Sequence, residues 1–484
     1  MTETQSNSNG APHLRRVLGR WDMVLLFVVA VVNLNVVPVV AGAGPITLWF
    51  WLAGVLLFFW PQGIAVIELS HRYPGEGGIY LWTKELFGDF HGFLSGWCYW
   101  TNNVFYVPTV LFVLVGISVY VGGERASALG DQRGFVFLFS VGLLWLMAAL
   151  NVRGLGVVKW VNNLGGVGTA VGALALMGLA LAVVRHQGIR LSARDFGFAG
   201  ADWRLVSMFG VICFGLVGLE LGSVMGDEIE DPPRTVPGAV LWGGVVSGLL
   251  YIGVTLATLL ALPHNEIGVV QGTIQAVNKL AQDAGVPWIV RPLALILSIS
   301  TAGIASAWFV GSARIPFVAG LDRYLPSALG KIHPRYATPY VALIVQALLS
   351  SLFVAMNLAG ASVKEAFVTM LDLAVFLQLV PFLYMFAALV RLAGRGAGES
   401  AYYSRPTLLA AGSVGFGMTA LGMLLAFVPS ANIESVWLFE AKMLVGCAFF
   451  LGVAAFFFRI NAGRKARTDL SLASAPSSAP GGSL

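Results

Sequence analysis

The chain has 484 residues, 57% of them hydrophobic and 11% charged, with a mean hydropathy of +0.80. Soluble globular proteins carry about 25% charged residues, so this composition excludes a chain bathed in water and calls for a lipid bilayer. The net charge of +5 fits basic loops against an anionic leaflet. No interleaving of basic and aromatic residues suggests a nucleic-acid platform.

Arg15, Arg16 and Arg20 precede the first apolar run, and Ala41-Gly42-Ala43 imitates a signal-peptide cleavage site. The run exceeds a 7–15-residue signal core and leads straight into another span, so an uncleaved first helix is expected. At about 20 apolar residues per crossing, twelve spans follow: 22–44, 46–70, 90–121, 133–151, 157–184, 204–229, 235–262, 286–318, 338–357, 365–391, 406–428 and 436–459. An even count puts both termini on one side. With that side cytoplasmic, about 19 of the 29 basic residues fall inside, as the positive-inside rule requires. The loop 185–204, with four arginines, is a local exception. Residues 1–20 and 461–484 read as disordered cytoplasmic tails around a transmembrane domain at 21–460. Between spans seven and eight, Ile267, Val270, Ile274, Val277 and Leu280 recur at helical spacing, predicting a short extracellular helix.

Cys98, Cys213 and Cys447 stand apart inside apolar stretches and read as packing residues. The six histidines form no metal-binding motif, so neither a metal nor another cofactor is expected. No convergent catalytic set is visible either, which argues against a membrane enzyme. A twelve-helix carrier of another fold would show two six-helix halves joined by a long central loop. Here only a few residues around Pro232-Pro233 separate spans six and seven.

Two spans carry helix-breaking signals. The first reads Asn33-Leu34-Asn35-Val36-Val37-Pro38, and its proline removes a helical donor. The sixth reads Phe214-Gly215-Leu216-Val217-Gly218-Leu219-Glu220, with two glycines that permit unwinding and an acid inside the span. Breaks in a bilayer survive where they line a protected polar cavity, and breaks five spans apart suggest a five-plus-five inverted repeat. Unwinding is expected around 35–39 and 214–218. Asp372 in span ten is a second intramembrane acid. Asn102, Asn103 and Tyr106 in span three stand ready to line the cavity or to hydrogen-bond between helices.

Three ordered stretches resemble the amino acid–polyamine–organocation superfamily of permeases. They are Glu68-Leu69 with Tyr73-Pro74-Gly75-Glu76-Gly77-Gly78, then Gly218-Leu219-Glu220 through Glu228, Asp231-Pro232, Arg234 and Pro237, and last Ser312-Ala313-Arg314 through Leu325-Pro326 to Thr338-Pro339. Pro263 to Ile267 and Ala305 to Trp308 resemble the glutamate/GABA antiporter branch. The resemblance implies an all-α integral membrane fold of twelve helices. Two leucine-transporter-like repeats (22–184 and 204–391) would be joined by two peripheral helices (406–459).

It further implies a secondary transporter for amino acids or related amines, in the inner membrane. Asn35, Val36, Val37, Pro38 and Val39 would form one wall of the substrate site. Phe214, Gly215 and Gly218 would form the other, with Asn103 beside them. Two departures stand out. The small-polar signature of span one is replaced by Val36-Val37-Pro38, and the lysine many relatives place in span five is replaced by Leu164-Gly165-Gly166-Val167-Gly168. Glu220 and Asp372 are the acids left for proton linkage. Exchange, proton symport and uniport all stay open.

Overall fold

The computed structural model describes residues 16–189, 191–197, 203–358, 363–394, 402–428 and 436–473. Among them every regular element is a helix, with two isolated β-bridges. The first span is two helices, α1 (Arg20–Val31) and α2 (Val36–Ala41). The second is α3 (Thr47–Gly54) and α4 (Trp60–Arg72), joined by a π-helical turn at Val55–Phe59. A short α5 (Ile79–Phe87) leads to α6 (Asp89–Ser118), α7 (Arg133–Val152) and α8 (Leu155–Gln187).

The chain then forms α9 (Met208–Gly215), α10 (Leu221–Val224), α11 (Pro232–Ala261) and α12 (Gly272–Asp283). It continues through α13 (Val290–Ser312), α14 (Arg314–Leu321) and α15 (Tyr340–Leu358). The last three helices are α16 (Val363–Gly394), α17 (Arg405–Leu425) and α18 (Val436–Ala473).

Ten helical segments among the described residues are long and apolar enough to cross a membrane. The sixth and ninth expected spans correspond to shorter apolar helices, Leu205–Gly215 and Tyr340–Met356. Burial grades the spans. The apolar window of α6 is 89% buried and that of α18 only 17%, so α6 is central and α18 peripheral. Trp21, Trp160, Trp242 and Leu249 stand outward, apolar surface that suits lipid.

Helix α1 is enclosed by α8, α11 and α13. Glycines allow this. A β-carbon on Gly165 would stand 2.6 Å from the Gly303 Cα, and one on Gly166 would stand 2.7 Å from the Leu25 carbonyl oxygen. Helix backbones therefore touch where a lysine was absent from the sequence, as small-residue packing in bilayers permits.

Two tail expectations change. Leu18 is buried, and its N–H donates to the Glu228 carbonyl at 3.0 Å. At the other end α18 runs on to Ala473. No proline stands between Val436 and Ala473 to stop it. Residues 1–15 and 474–484 lie outside the described residues.

Candidate functional site

Both suspected spans break, at slightly different places than their sequences suggested. α1 ends at Val31 and α2 starts at Val36, so the gap is 32–35. Asn35 lies at its edge, while Val36, Val37, Pro38 and Val39 are helical. The correction follows from where proline stands. Pro38 occupies the first turn of α2, where a backbone N–H has no partner within the helix anyway, so it starts that half-helix instead of interrupting one. In the sixth span α9 ends at Gly215 and α10 begins at Leu221. Phe214 and Gly215 close α9, and Gly218 lies in the gap.

The two breaks touch. Gly218 holds φ +134°, and a β-carbon on it would meet the Ala30 carbonyl carbon and the Val31 nitrogen at 3.1 Å. A side chain there is excluded by both conformation and space. Gly215 faces Val36 and Trp51 in the same way, with β-carbon distances of 3.1 and 3.3 Å.

The carbonyls freed at the end of α1 are capped by distant side chains. Trp308 Nε1 donates to Ala30 O at 3.0 Å, and Thr273 Oγ1 of α12 donates to Leu34 O at 2.9 Å. Tyr251 on α11 joins both breaks. Its hydroxyl lies 2.5 Å from Val31 O and 2.6 Å from Gly215 O, and accepts the Asn33 N–H at 2.9 Å. One hydroxyl proton serves two carbonyls, so one of them keeps acceptor capacity.

Around this junction stands a wall of rings. Tyr106 meets Phe214 edge-on at 5.0 Å and Trp308 at 5.8 Å, and Trp51 stacks on Tyr251 at 4.2 Å. Buried polar atoms among them lack hydrogen-bond partners: both amide atoms of Asn35, Asn33 Oδ1, Asn103 Oδ1, the Tyr106 hydroxyl and Trp51 Nε1. Asn35 approaches the Tyr106 hydroxyl without closing a well-formed bond to it. Asn103 lies one turn before Tyr106 and donates to the Tyr99 carbonyl at 2.9 Å. Orphaned buried groups are uncommon in folded proteins, and so many together need an explanation.

Beside the junction lies a polar hub that the sequence had not revealed. Glu220 is fully buried. Its carboxylate accepts from Gly218 N–H at 2.8 Å, Gln62 Nε2 at 2.9 Å, Tyr99 Oη at 3.2 Å and Gln378 Nε2 at 3.4 Å. Asn102 in turn donates to Gln378 Oε1 at 2.5 Å. The hub joins α4, α6, the second break and α16. Asp372, the other acid singled out, is half-buried on α16 six residues before Gln378, about 9 Å along the helix axis. The residue of α16 that reaches Glu220 is Gln378. The glutamines at 62 and 378 were visible as polar residues in apolar runs; their convergence was not.

At one end of the bundle the glycine-rich loop 73–78 closes onto residues 223–229. Gly75, Gly77 and Gly78 hold φ of +138°, +95° and +41°. A β-carbon on Gly78 would stand 2.6 Å from Ser223 Oγ, and one on Gly226 would stand 2.3 Å from Gly75 O. The motif is thus explained by flush packing. Residues 17 and 18 pair with Glu228 on the same face, and Lys159 holds that segment through Val17 O at 3.0 Å and Asp22 at 3.3 Å.

The sequence has counterparts among known transporters. The sequence model described as amino acid permease matches residues 18–453. The chain belongs to the amino acid permease family. An uncharacterised transporter of Legionella pneumophila is 25% identical over 454 residues, covering 91% of this chain and 96% of that protein. A probable agmatine/putrescine antiporter of Lactococcus lactis, AguD, is 24% identical, covering 60% of this chain and 62% of its own. The branched-chain amino acid permease BcaP of Bacillus subtilis is 24% identical, covering 69% and 73%. This permease is a multi-pass membrane protein and a secondary transporter of amino acids or amines, not an enzyme.

Proposed function

We propose that the permease carries an α-amino acid with an uncharged side chain, bound between the two helix breaks. The observation that carries this reading is the ring-lined junction with its unpartnered polar atoms. A zwitterion supplies what that junction lacks. Its ammonium takes the carbonyl of Val31 or Gly215 that the Tyr251 proton leaves open. Its carboxylate takes the Asn35 amide and Tyr106 hydroxyl at the start of α2, Val36 to Val39. Phe214, with Tyr106 and Trp308, covers the side chain, and Asn103 borders it.

The side-chain class follows from charge. Among the described residues no basic or acidic group reaches this junction except Glu220, and that carboxylate is already occupied by four donors. A polyamine would bring cations with no free carboxylate to meet them, and their desolvation would go uncompensated. Transport resembling that of the branched-chain permease is therefore favoured over that of the agmatine/putrescine antiporter.

Uptake and exchange by the reconstituted protein, with labelled neutral, acidic, basic and decarboxylated substrates, test this directly. Neutral amino acids should compete and amines without a carboxylate should not; the reverse order refutes the reading. Tyr106→Phe should raise KM about tenfold, the loss of one good polar contact, and Gly218→Leu should abolish transport while leaving insertion intact.

The fold proposed for this activity is twelve spans in two inverted five-helix repeats plus α17 and α18. Both termini would lie in the cytoplasm beneath the inner membrane. The break-to-break contact at Gly218 supports this reading. Proton linkage is proposed at Glu220, with Asp372 as the alternative. Glu220→Gln or Asp372→Asn should then flatten the pH dependence of uptake more than it weakens exchange. If both keep the parental profile, substrate-for-substrate exchange is the mechanism.

A further inference from the structure

Away from the substrate junction, three charged side chains are buried together under the loop 73–78. Arg314, at the start of α14, is 1% exposed, Glu228 3% and Glu76 6%. The guanidinium grips Glu228 with two bonds, Nε to Oε2 and Nη2 to Oε1, both 3.0 Å. A third donor is spent on the Val310 carbonyl at 2.5 Å. Glu76 is left with a 3.7 Å approach to Arg314 Nε and one backbone donor, Asp227 N–H, at 3.2 Å. Its Oε1 is buried with no hydrogen-bond partner.

Two carboxylates thus share one cation, and the cation is committed to one of them. Asp227, exposed beside them, adds negative charge and no compensation. The cations on neighbouring elements are engaged elsewhere: Lys84 with Asp322 at 2.6 Å, and Arg72 with Glu68 at 2.8 Å. Tyr80 also donates to Asp322, at 2.6 Å.

We propose that Glu76 is a proton-binding site created by closure of this face, filled when loop 73–78 docks on residues 223–229 and emptied when it lifts. The geometry requires a neutral group at Glu76. An ionised carboxylate buried with an unpartnered oxygen beside Glu228 would be strongly disfavoured. A protonated one brings a donor of its own and leaves the Arg314–Glu228 pair balanced. When the loop lifts, water reaches the group and the proton departs. Burial, then the Glu228 charge, pushes the Glu76 carboxyl well above the usual range, and Arg314 offsets this only in part.

The sign of the linkage follows. The closed form holds one more proton than the open form, so rising pH favours opening. The dependence begins at the ordinary carboxyl range and ends at the raised value in the closed form, at most about tenfold in the closed-to-open ratio per pH unit. The site is separate from the substrate junction and is read without any substrate.

Hydrogen exchange of the full-length protein in lipid nanodiscs tests the proposal, with labelling times scaled to intrinsic exchange at each pH. Protection of the backbone amides in 73–78 and 225–231 should fall between pH 5.5 and 8.0, by at most about tenfold per pH unit. In Glu76→Gln, which mimics the protonated side chain, protection should be high and equal at both pH values. Glu228→Gln frees Arg314 for an ionised Glu76, and the dependence should vanish there too. A wild-type protein with pH-independent protection overturns the proposal, as does either variant that folds and keeps the parental pH dependence.

Discussion

Glu220 and Glu76 are both buried carboxylates next to a glycine-dependent contact, and they are accommodated in opposite ways. Glu220 receives four neutral donors from three helices and its own break. Glu76 shares a single guanidinium with Glu228 and keeps one oxygen unpartnered. The first arrangement disperses a charge over dipoles that move with the helices. The second concentrates three ionisable groups where loop 73–78 meets the end of the sixth span, so its balance changes as soon as those elements part. A buried acid is therefore informative only together with the count of donors that face it.

Removing the shared cation should give the largest effect. Arg314→Leu leaves Glu76 and Glu228 buried without compensation, which costs about 3–5 kcal/mol when one partner of a buried pair is lost. The yield of monodisperse protein and its apparent melting temperature should both collapse. Adding Glu228→Leu and Glu76→Gln should restore most of the loss, since apolar replacement of a whole buried ion pair is often neutral. If the single variant is as stable as wild type, the cluster is hydrated and the contrast with Glu220 disappears.

An intermediate effect is expected at the other site. Gln62→Leu removes one of the four donors to Glu220, worth about 1.5–3 kcal/mol for a hydrogen bond to a charged group. The remaining donors keep the carboxylate solvated, so the protein should fold and insert. Thermal unfolding in detergent reads this, and Tyr99→Phe, whose bond is longer at 3.2 Å, should cost less. Equal losses at 62 and 99 would mean that Glu220 does not rank its donors by geometry.

Much of this was legible in the sequence, and what was missed has a common cause. Apolar run length is a local property, and it gave ten crossing helices at their expected places. The breaks, expected at 35–39 and 214–218 and found at 32–35 and 216–220, were also signalled locally, by asparagine, proline and glycine in apolar runs. Pro38 misled because a proline within a helical run and one in the first turn of a new helix look alike in one dimension. The capping of the first break by Tyr251, Thr273 and Trp308 rests on contacts more than 200 residues apart. So does the shared cation, since Arg314 and Glu76 are joined only by folding. A lone tyrosine in an apolar helix carries no mark of the carbonyl it will meet.

The smallest effect, and the one most specific to the comparison, is a pH dependence of stability. Glu76 has a carboxyl raised above its ordinary value by burial and by Glu228. A raised acid binds its proton more tightly in the folded protein than in the unfolded chain. Protonation therefore stabilises the fold, fully below the folded value, and unfolding gains favour as pH climbs from the ordinary carboxyl range towards it. Wild-type protein should melt lower at pH 8.0 than at pH 6.0 from this group alone, by about 1 °C for each kcal/mol of linkage in a chain of this size. Glu76→Gln carries no titratable group and should lose that part of the decline, so its advantage over wild type should be larger at pH 8.0 than at pH 6.0. Gln62→Leu, by contrast, should lower the melting point at both pH values, because it removes a buried donor and no titratable group. A Glu76→Gln protein that tracks the wild-type decline would place the titrating group elsewhere, and the two buried acids would then differ in geometry without differing in charge.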